Sequence, residues 1–272
     1  MKTHSVTGGG GVQLHVVEAG NPQGRPILFI HGASQCSQQW ERQMNSSLAD
    51  EHRLVAIDMR GHGRSGKPRD AYNDSQLWAD DVKAVIDTLQ LERPVLSGWS
   101  YGPLVFLDYI RHYGEDEIAG LQFVGAITKL GSAEATSVLT PEFLSVVPQF
   151  LSDDTEACTR GLEGLLQLCF SRKPSESELG VMLQYNLSVP AYVRQGLFSR
   201  AFDNDDLLPK IRKPVLITHG AADAIVSPGV VEQHQAAMPH AQVQLMANTG
   251  HAAFWDDAPA FNERLSAFCV SV

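Results

Sequence analysis

The sequence predicts an α/β fold: a mostly parallel central sheet flanked by helices, with a helical insertion. Three observations carry that prediction. Short runs such as "PILFI" and "RLVAID" are almost wholly apolar, as in strands buried on both faces. These runs alternate along the chain with segments of helical periodicity. The alternation stops at about residue 129 and resumes near 209, so the intervening helix-like stretch reads as an insertion.

Taken in order, "SVTGGGGVQLHVVEAG" reads as two short strands around a glycine turn. A phosphate-cradling loop is disfavoured there, because neither Lys-Ser/Thr nor a helix follows. "PILFI" and "RLVAID" are strands. "SQLWADDVKAVIDTLQL" is a helix with apolar residues at 78, 82, 85, 86 and 89. "PVLSG" is a strand, "PLVFLDYIRHYG" a helix and "AGLQFVGAI" a strand. After the insertion, "KPVLITHG" and "AQVQLMA" are strands separated by helical "SPGVVEQHQAAM". The final helix, "APAFNERLSAFCV", places 261, 265 and 268 on one side. The division is therefore a core of 1–128 and 209–272 with a helical cap over 129–208, in which no strand is evident.

Composition narrows the function. Of 272 residues, 43% are hydrophobic and 19% charged, an ordinary globular balance. A net charge of −10 and no basic run argue against nucleic acid or an anionic membrane as partner. No apolar stretch approaches the ~20 residues of a membrane span, and no apolar signal region follows Met1-Lys2-Thr3-His4. Four dispersed cysteines without CxxC spacing fit a reduced, cytoplasmic protein. "GHGRSG" at 61–66 matches a dinucleotide fingerprint, but Lys-Pro-Arg-Asp follows it in place of a helix.

The informative stretch is "VLSGWSYGPLVF" at 95–106, a strand turning into a helix through Gly98-Trp99-Ser100-Tyr101-Gly102. So sharp a turn strains its central residue and needs glycines on either side, where a side chain would strike backbone. It presents Ser100 Oγ at the carboxyl edge of the sheet. The Tyr101 N–H, at the helix start, can there meet a developing oxyanion.

On these residues the chain resembles the α/β-hydrolase superfamily over essentially its whole length. His31-Gly32 after the first buried strand, "DMRGHGRS" at 58–65, the serine turn, "HGAADAIVSP" at 219–228 and "TGHAAFW" at 249–255 all match its pattern. "DMRGHGRSGKP" together with "GWSYG" is most similar to small carboxylesterases and cofactor-free haloperoxidases (perhydrolases). Ser100 stands where epoxide hydrolases and haloalkane dehalogenases of this fold carry Asp. The lipase-like His-Gly-Gly-Gly loop is missing. Pro103 departs from the small residue usual in the family, in a first helical turn that tolerates proline.

A serine hydroxyl needs a base, and the base an orienting acid. Among ten histidines, His251 follows a strand on a loop at the same sheet edge as Ser100. His31 is expected to be structural in the oxyanion loop, and His219 to brace the acid loop. Asp223 is the expected acid, since the alternative position after "LQFVGAI" holds Thr128 and Lys129. The order Ser100, Asp223, His251 suits the fold. Ala33 and Tyr101 are the expected oxyanion donors. Trp99, Ser34, Leu139 and Phe143 are expected to line the substrate site. Asp58 and Arg60 should brace loops, and Trp40, Trp78 and Trp255 should pack.

Cys36 lacks a basic neighbour that would activate it. Nothing suggests a metal, and no cofactor is implied. The expected activity is hydrolysis of carboxylic esters with small to medium, mainly uncharged acyl groups. Perhydrolysis, C–C cleavage on the same triad, or a slow-turnover ligand receptor are the alternatives. Arg194 and Arg200, the isolated cations of the insertion's second half, could face solvent.

Overall fold

The computed structural model describes residues 1–272. Its strands are β1 (Lys2–Thr7), β2 (Gln13–Gly20), β3 (Pro26–Ile30), β4 (Arg53–Ile57), β5 (Val95–Trp99) and β6 (Gly120–Val124). Then come β7 (Lys129–Leu130), β8 (Phe202–Asp203), β9 (Val215–Gly220) and β10 (Gln242–Met246). Eight of them form one sheet in the order β1-β2-β4-β3-β5-β6-β9-β10. The first two ladders, β1 with β2 and β2 with β4, are antiparallel. Every later ladder is parallel.

Burial follows position in the sheet. Every residue of β3, β5, β6 and β9 is buried, because helices cover both faces of the parallel centre. The outermost strand β10 buries only Met246. Flanking helices are α1 (Glu41–Met44), α2 (Leu48–Glu51), α3 (Ser75–Thr88) and α4 (Gly102–Tyr113). In the insertion lie α5 (Ala133–Ser137), α6 (Pro141–Phe150), α7 (Thr155–Cys169), α8 (Glu176–Leu187) and α9 (Ala191–Ser199). The chain closes with α10 (Val230–Ala237), α11 (Ala253–Asp256) and α12 (Ala258–Ser271). Helix α3 buries Trp78, Val82, Val85 and Ile86 and ends at Thr88, three residues short of the expected Leu91.

Starts of the inserted helices are written locally. Thr140, Asp154 and Ser175 each accept a hydrogen bond from a first-turn N–H, and Ser175 with Glu178 completes a capping box. The insertion does contain strands: β7 and β8 pair antiparallel at its two ends, Lys129 opposite Asp203 and Leu130 opposite Phe202. Two residues are too short to show a period, and their partners are distant in sequence.

Buried polar residues lock the loops at the sheet edge. Arg60 is fully buried and grips Asp81 through Nε (2.7 Å) and Nη2 (2.8 Å), while also bonding the Gly9 and Leu77 carbonyls. Asp81 in turn accepts the Gly9 N–H at 2.9 Å, so the N-terminal glycine turn is tied to α3. Asp58 accepts the N–H groups of Ser37 (2.7 Å) and Arg64 (2.8 Å). Gly63 lies so close to Asp58 that an added Cβ would collide with the carboxylate. Of the other glycines of "GHGRSG", Gly61 makes room for Val193 and Tyr72 and Gly66 for Val12, and no helix follows them until Ser75.

Candidate active site

Four loops converge at the carboxyl ends of β3, β5, β9 and β10, where open α/β sheets bind ligands. At the end of β5, Ser100 adopts φ +57°. This left-handed conformation costs a non-glycine residue about 1–2 kcal/mol. Neighbouring backbone leaves room only for glycine on either side. A Cβ on Gly98 would lie 2.7 Å from Pro103 N, and one on Gly102 would strike the Ile30 carbonyl. The turn is pinned by Ser100 N–H donating to Val124 O at 2.9 Å.

The loop after β3 closes a turn, Gln35 N–H to Gly32 O at 3.2 Å, with Ser34 at φ +62°. A Cβ on Gly32 would come 3.1 Å from Ser100 Cβ, so glycine lets this loop approach the serine. The N–H groups of Ala33 and Tyr101 donate to no backbone acceptor. Two buried imidazoles hold the loop. His31 bonds the Gly32 carbonyl through Nδ1 (2.8 Å) and accepts the Met59 N–H at Nε2 (3.0 Å). His62 bonds the Arg60 carbonyl through Nδ1 and accepts the Ser34 N–H at Nε2 (3.2 Å). Burial pushes His31 down to about 4 and His62 to about 3, so both stay neutral and keep accepting. The sequence reading placed His31 in this role and gave none to His62, although the segment "DMRGHGRS" that it singled out contains it.

Asp223, on the loop after β9, meets His251, on the loop after β10, at 2.8 Å between Oδ2 and Nδ1. Its Oδ1 accepts the N–H groups of Ile225 (2.8 Å) and Val226 (2.9 Å). His219 Nε2 lies 3.2 Å from Oδ2 and 3.0 Å from the Val226 carbonyl, bracing the loop. Burial by itself would raise the Asp223 carboxyl. The His251 charge and the hydrogen bonds from His219 and His251 outweigh it and hold the group below the usual carboxylate range. The His251 ring packs 5.4 Å from that of Trp99, whose Nε1–H donates to the His251 carbonyl at 2.9 Å. Asp256, which the sequence did not flag, accepts N–H groups from Gly250, Ser171 and Arg172. It thereby joins the histidine loop to the chain leaving α7.

Ser100 and His251 open on one narrow cavity of about 40 Å³, room for a few water molecules. Its walls are Ala33, Gln35 and Trp99 from the core, Ile225 beside Asp223, and Phe143, Phe150, Leu165, Cys169 and Phe198 from the insertion. Of four residues expected to line it, Trp99 and Phe143 do. Ser34 and Leu139 do not. Ser34, within the loop, is fully buried with its N–H on His62, and Leu139 bridges to Val226. Periodicity marks an apolar residue without saying which neighbour it faces.

Arg194 and Arg200 are both buried, contrary to a solvent-facing reading. Arg194 bonds the carbonyls of Phe150 and Val189 and the Cys158 sulfur, and Arg200 pairs with Asp108 at 2.8 Å. Cys36 is buried, and burial, reinforced by Asp58, pushes its thiol up to about 12. A raised pKa disfavours the nucleophilic thiolate. No group of three or more His, Cys, Asp or Glu side chains is arranged to hold a metal ion.

A family model described as the alpha/beta hydrolase fold matches residues 25–258. The chain belongs to the α/β-hydrolase family. An AB hydrolase superfamily protein of Bacillus subtilis is 31% identical to it over 96% of each chain. A bifunctional esterase/perhydrolase of Acinetobacter calcoaceticus is 30% identical over 81% of this chain and 82% of that one. Among solved structures, an esterase from Rhodococcus sp. ECU1013 is similar at 32% identity and TM-score 0.94, over 100% of this chain and 99% of that one. No helix of this α/β-hydrolase is long and apolar enough to cross a membrane.

Proposed function

We propose that this α/β-hydrolase cleaves carboxylic esters of small, uncharged acyl groups through an acyl-serine intermediate. One observation carries the reading: the strained Ser100 and the Asp223-bonded His251 face one cavity beside two backbone N–H groups without backbone acceptors. Ser100 Oγ attacks the ester carbonyl while its proton passes to His251 Nε2. The Ala33 and Tyr101 N–H groups hold the oxyanion. His251 returns the proton to the departing alcohol, and Asp223 stabilises the imidazolium in between. Water, deprotonated by His251, then attacks the acyl carbonyl, releasing the acid and restoring Ser100. No hydrogen bond joins Ser100 Oγ to the imidazole, a contact that commonly tightens only in the Michaelis complex.

Cavity size and chemistry support the acyl class. Binding pockets for drug-sized ligands run about 300–1,000 Å³, so about 40 Å³ favours acetyl to butyryl over longer chains. No Arg or Lys lines the cavity, so an anionic acyl group would lose hydration without a compensating charge. The test is kcat/KM across C2 to C12 p-nitrophenyl esters and a succinate monoester. Preference for the succinate ester, or no dependence on chain length, would overturn the acyl assignment. A second reading, perhydrolysis, is favoured by the relative named esterase/perhydrolase. In it hydrogen peroxide replaces water in the second step, giving a peracid and free Ser100. Peracid formation in the same panel with added peroxide tests it.

A further inference from the structure

The cavity has one neutral hydrogen-bonding side chain that the proposed chemistry leaves unused. Apart from Ser100 and His251, its walls are apolar side chains, glycine backbone and Gln35. Gln35 is 2% exposed, so its amide cannot turn to solvent. An amide of this kind can make four hydrogen bonds, two as donor and two as acceptor. Gln35 makes two, both with Asn186 of α8 and both long: Nε2 to Oδ1 at 3.3 Å, and Oε1 from Nδ2 at 3.4 Å. These lie beyond the usual 2.7–3.2 Å range. Asn186 has a better partner, since the same Nδ2 donates to the Met182 carbonyl at 2.8 Å. One Gln35 N–H and one of its oxygen lone pairs therefore have no partner in the protein.

We infer that Gln35 is the polar specificity contact of the cavity. It favours esters in which an ether, hydroxyl or carbonyl oxygen stands in place of a CH₂ within a few bonds of the scissile carbonyl. The inference rests on the esterase reading and refines its substrate class. Position supports it: Gln35 lies two residues beyond Ala33, and the Gly32–Gln35 turn holds its backbone beside the attacking serine. Bringing a substrate oxygen to the free N–H adds a hydrogen bond, whereas a CH₂ there leaves a buried amide donor unmade. A site built to bond an oxygen discriminates against the analogue lacking it.

The rival explanation is that Gln35 and Asn186 form only a structural clasp between the oxyanion loop and α8. The test separates the two. Measure kcat/KM for the wild type, Gln35→Met and Asn186→Leu on two isosteric pairs: p-nitrophenyl methoxyacetate against butyrate, and 2-methoxyethyl acetate against butyl acetate. Each ratio is compared between enzymes, so intrinsic ester reactivity cancels. Gln35→Met is expected to lower the oxygen-to-methylene ratio of at least one pair by roughly three- to tenfold. Asn186→Leu, which frees the Gln35 amide for substrate, is expected to leave that ratio unchanged or raise it. A ratio within twofold of wild type in Gln35→Met on both pairs overturns the inference. So do equal proportional losses on all four esters in both variants, the mark of a clasp. No turnover of any ester by the wild type would overturn the esterase reading and this inference with it.

Discussion

The sheet edge and the helical insertion build the same cavity by different means. At the edge, directional bonds hold each group: the Asp223 carboxylate accepts two backbone N–H groups and faces two imidazoles. His31 and His62 each bind two backbone groups of the loop after β3 and of its neighbour. The insertion contributes Phe143, Phe150, Leu165 and Phe198, which fill space without direction. It is fastened at a few polar points: Tyr185 to Gln39, Asp256 to the chain leaving α7, and buried Arg200 to Asp108 of α4. Hydrogen bonds fix angles and distances, whereas apolar contact fixes only volume. On the proposed function the edge carries the chemistry and the insertion the selection, and the two should be separable by mutation.

The strongest break falls at the edge. Ser100→Ala is expected to lower kcat for p-nitrophenyl acetate by about 10⁶, with circular dichroism and melting temperature showing a folded protein. Activity within about tenfold of the parent would remove Ser100 from the chemistry.

Asp223→Asn should cost roughly 10⁴ in kcat, because the imidazole tautomer is no longer held. Equal damage from Asp58→Asn with a mild Asp223→Asn would point to the wrong carboxylate. The same variant carries a pH signature. Asp223 has a folded pKa below its unfolded value of about 3.9, so its pairing stabilises the fold above that pH. The gain fades as pH falls through the folded value. The stability gap between wild type and Asp223→Asn, read from urea midpoints, should be full near neutrality and narrow below about pH 4.

Insertion variants should act on selection instead. Phe143→Ala opens the wall and should move the chain-length optimum towards hexanoate. Each CH₂ accommodated is worth about 0.8 kcal/mol, roughly fourfold in kcat/KM. The acetate value should change far less than the hexanoate value. Equal losses on both esters would show that the two regions are not separable. The buried Phe also supports the fold, so the variant should lose about 3–5 kcal/mol of stability.

The smallest effect is expected on the outer side of α7. Arg160→Ala breaks an exposed pair with Glu156 at 2.7 Å, worth at most about 0.5 kcal/mol. It should leave both the acyl profile and kcat unchanged. A shifted profile would mean that the insertion transmits surface changes to the cavity.

Most of the edge was legible in the sequence, since backbone constraint leaves marks that a single chain carries. Gly98 and Gly102 flank Ser100 because nearby backbone leaves no room for a Cβ. Apolar runs record the buried centre of the sheet, as in β3 and β5. Strand ends and chain order single out Asp223 and His251, and the structure brings their side chains together. What the tertiary structure alone decided is which residues of distant segments share a wall. Gln35 meets Asn186, and Asp256 meets Ser171, across long stretches of chain that no local period records. Ser34 and Leu139 had plausible positions in sequence, yet their backbone bonds place them outside the cavity. A polar or apolar residue type states what a side chain can do, and only packing of the insertion on the sheet edge determines which neighbour it does it with.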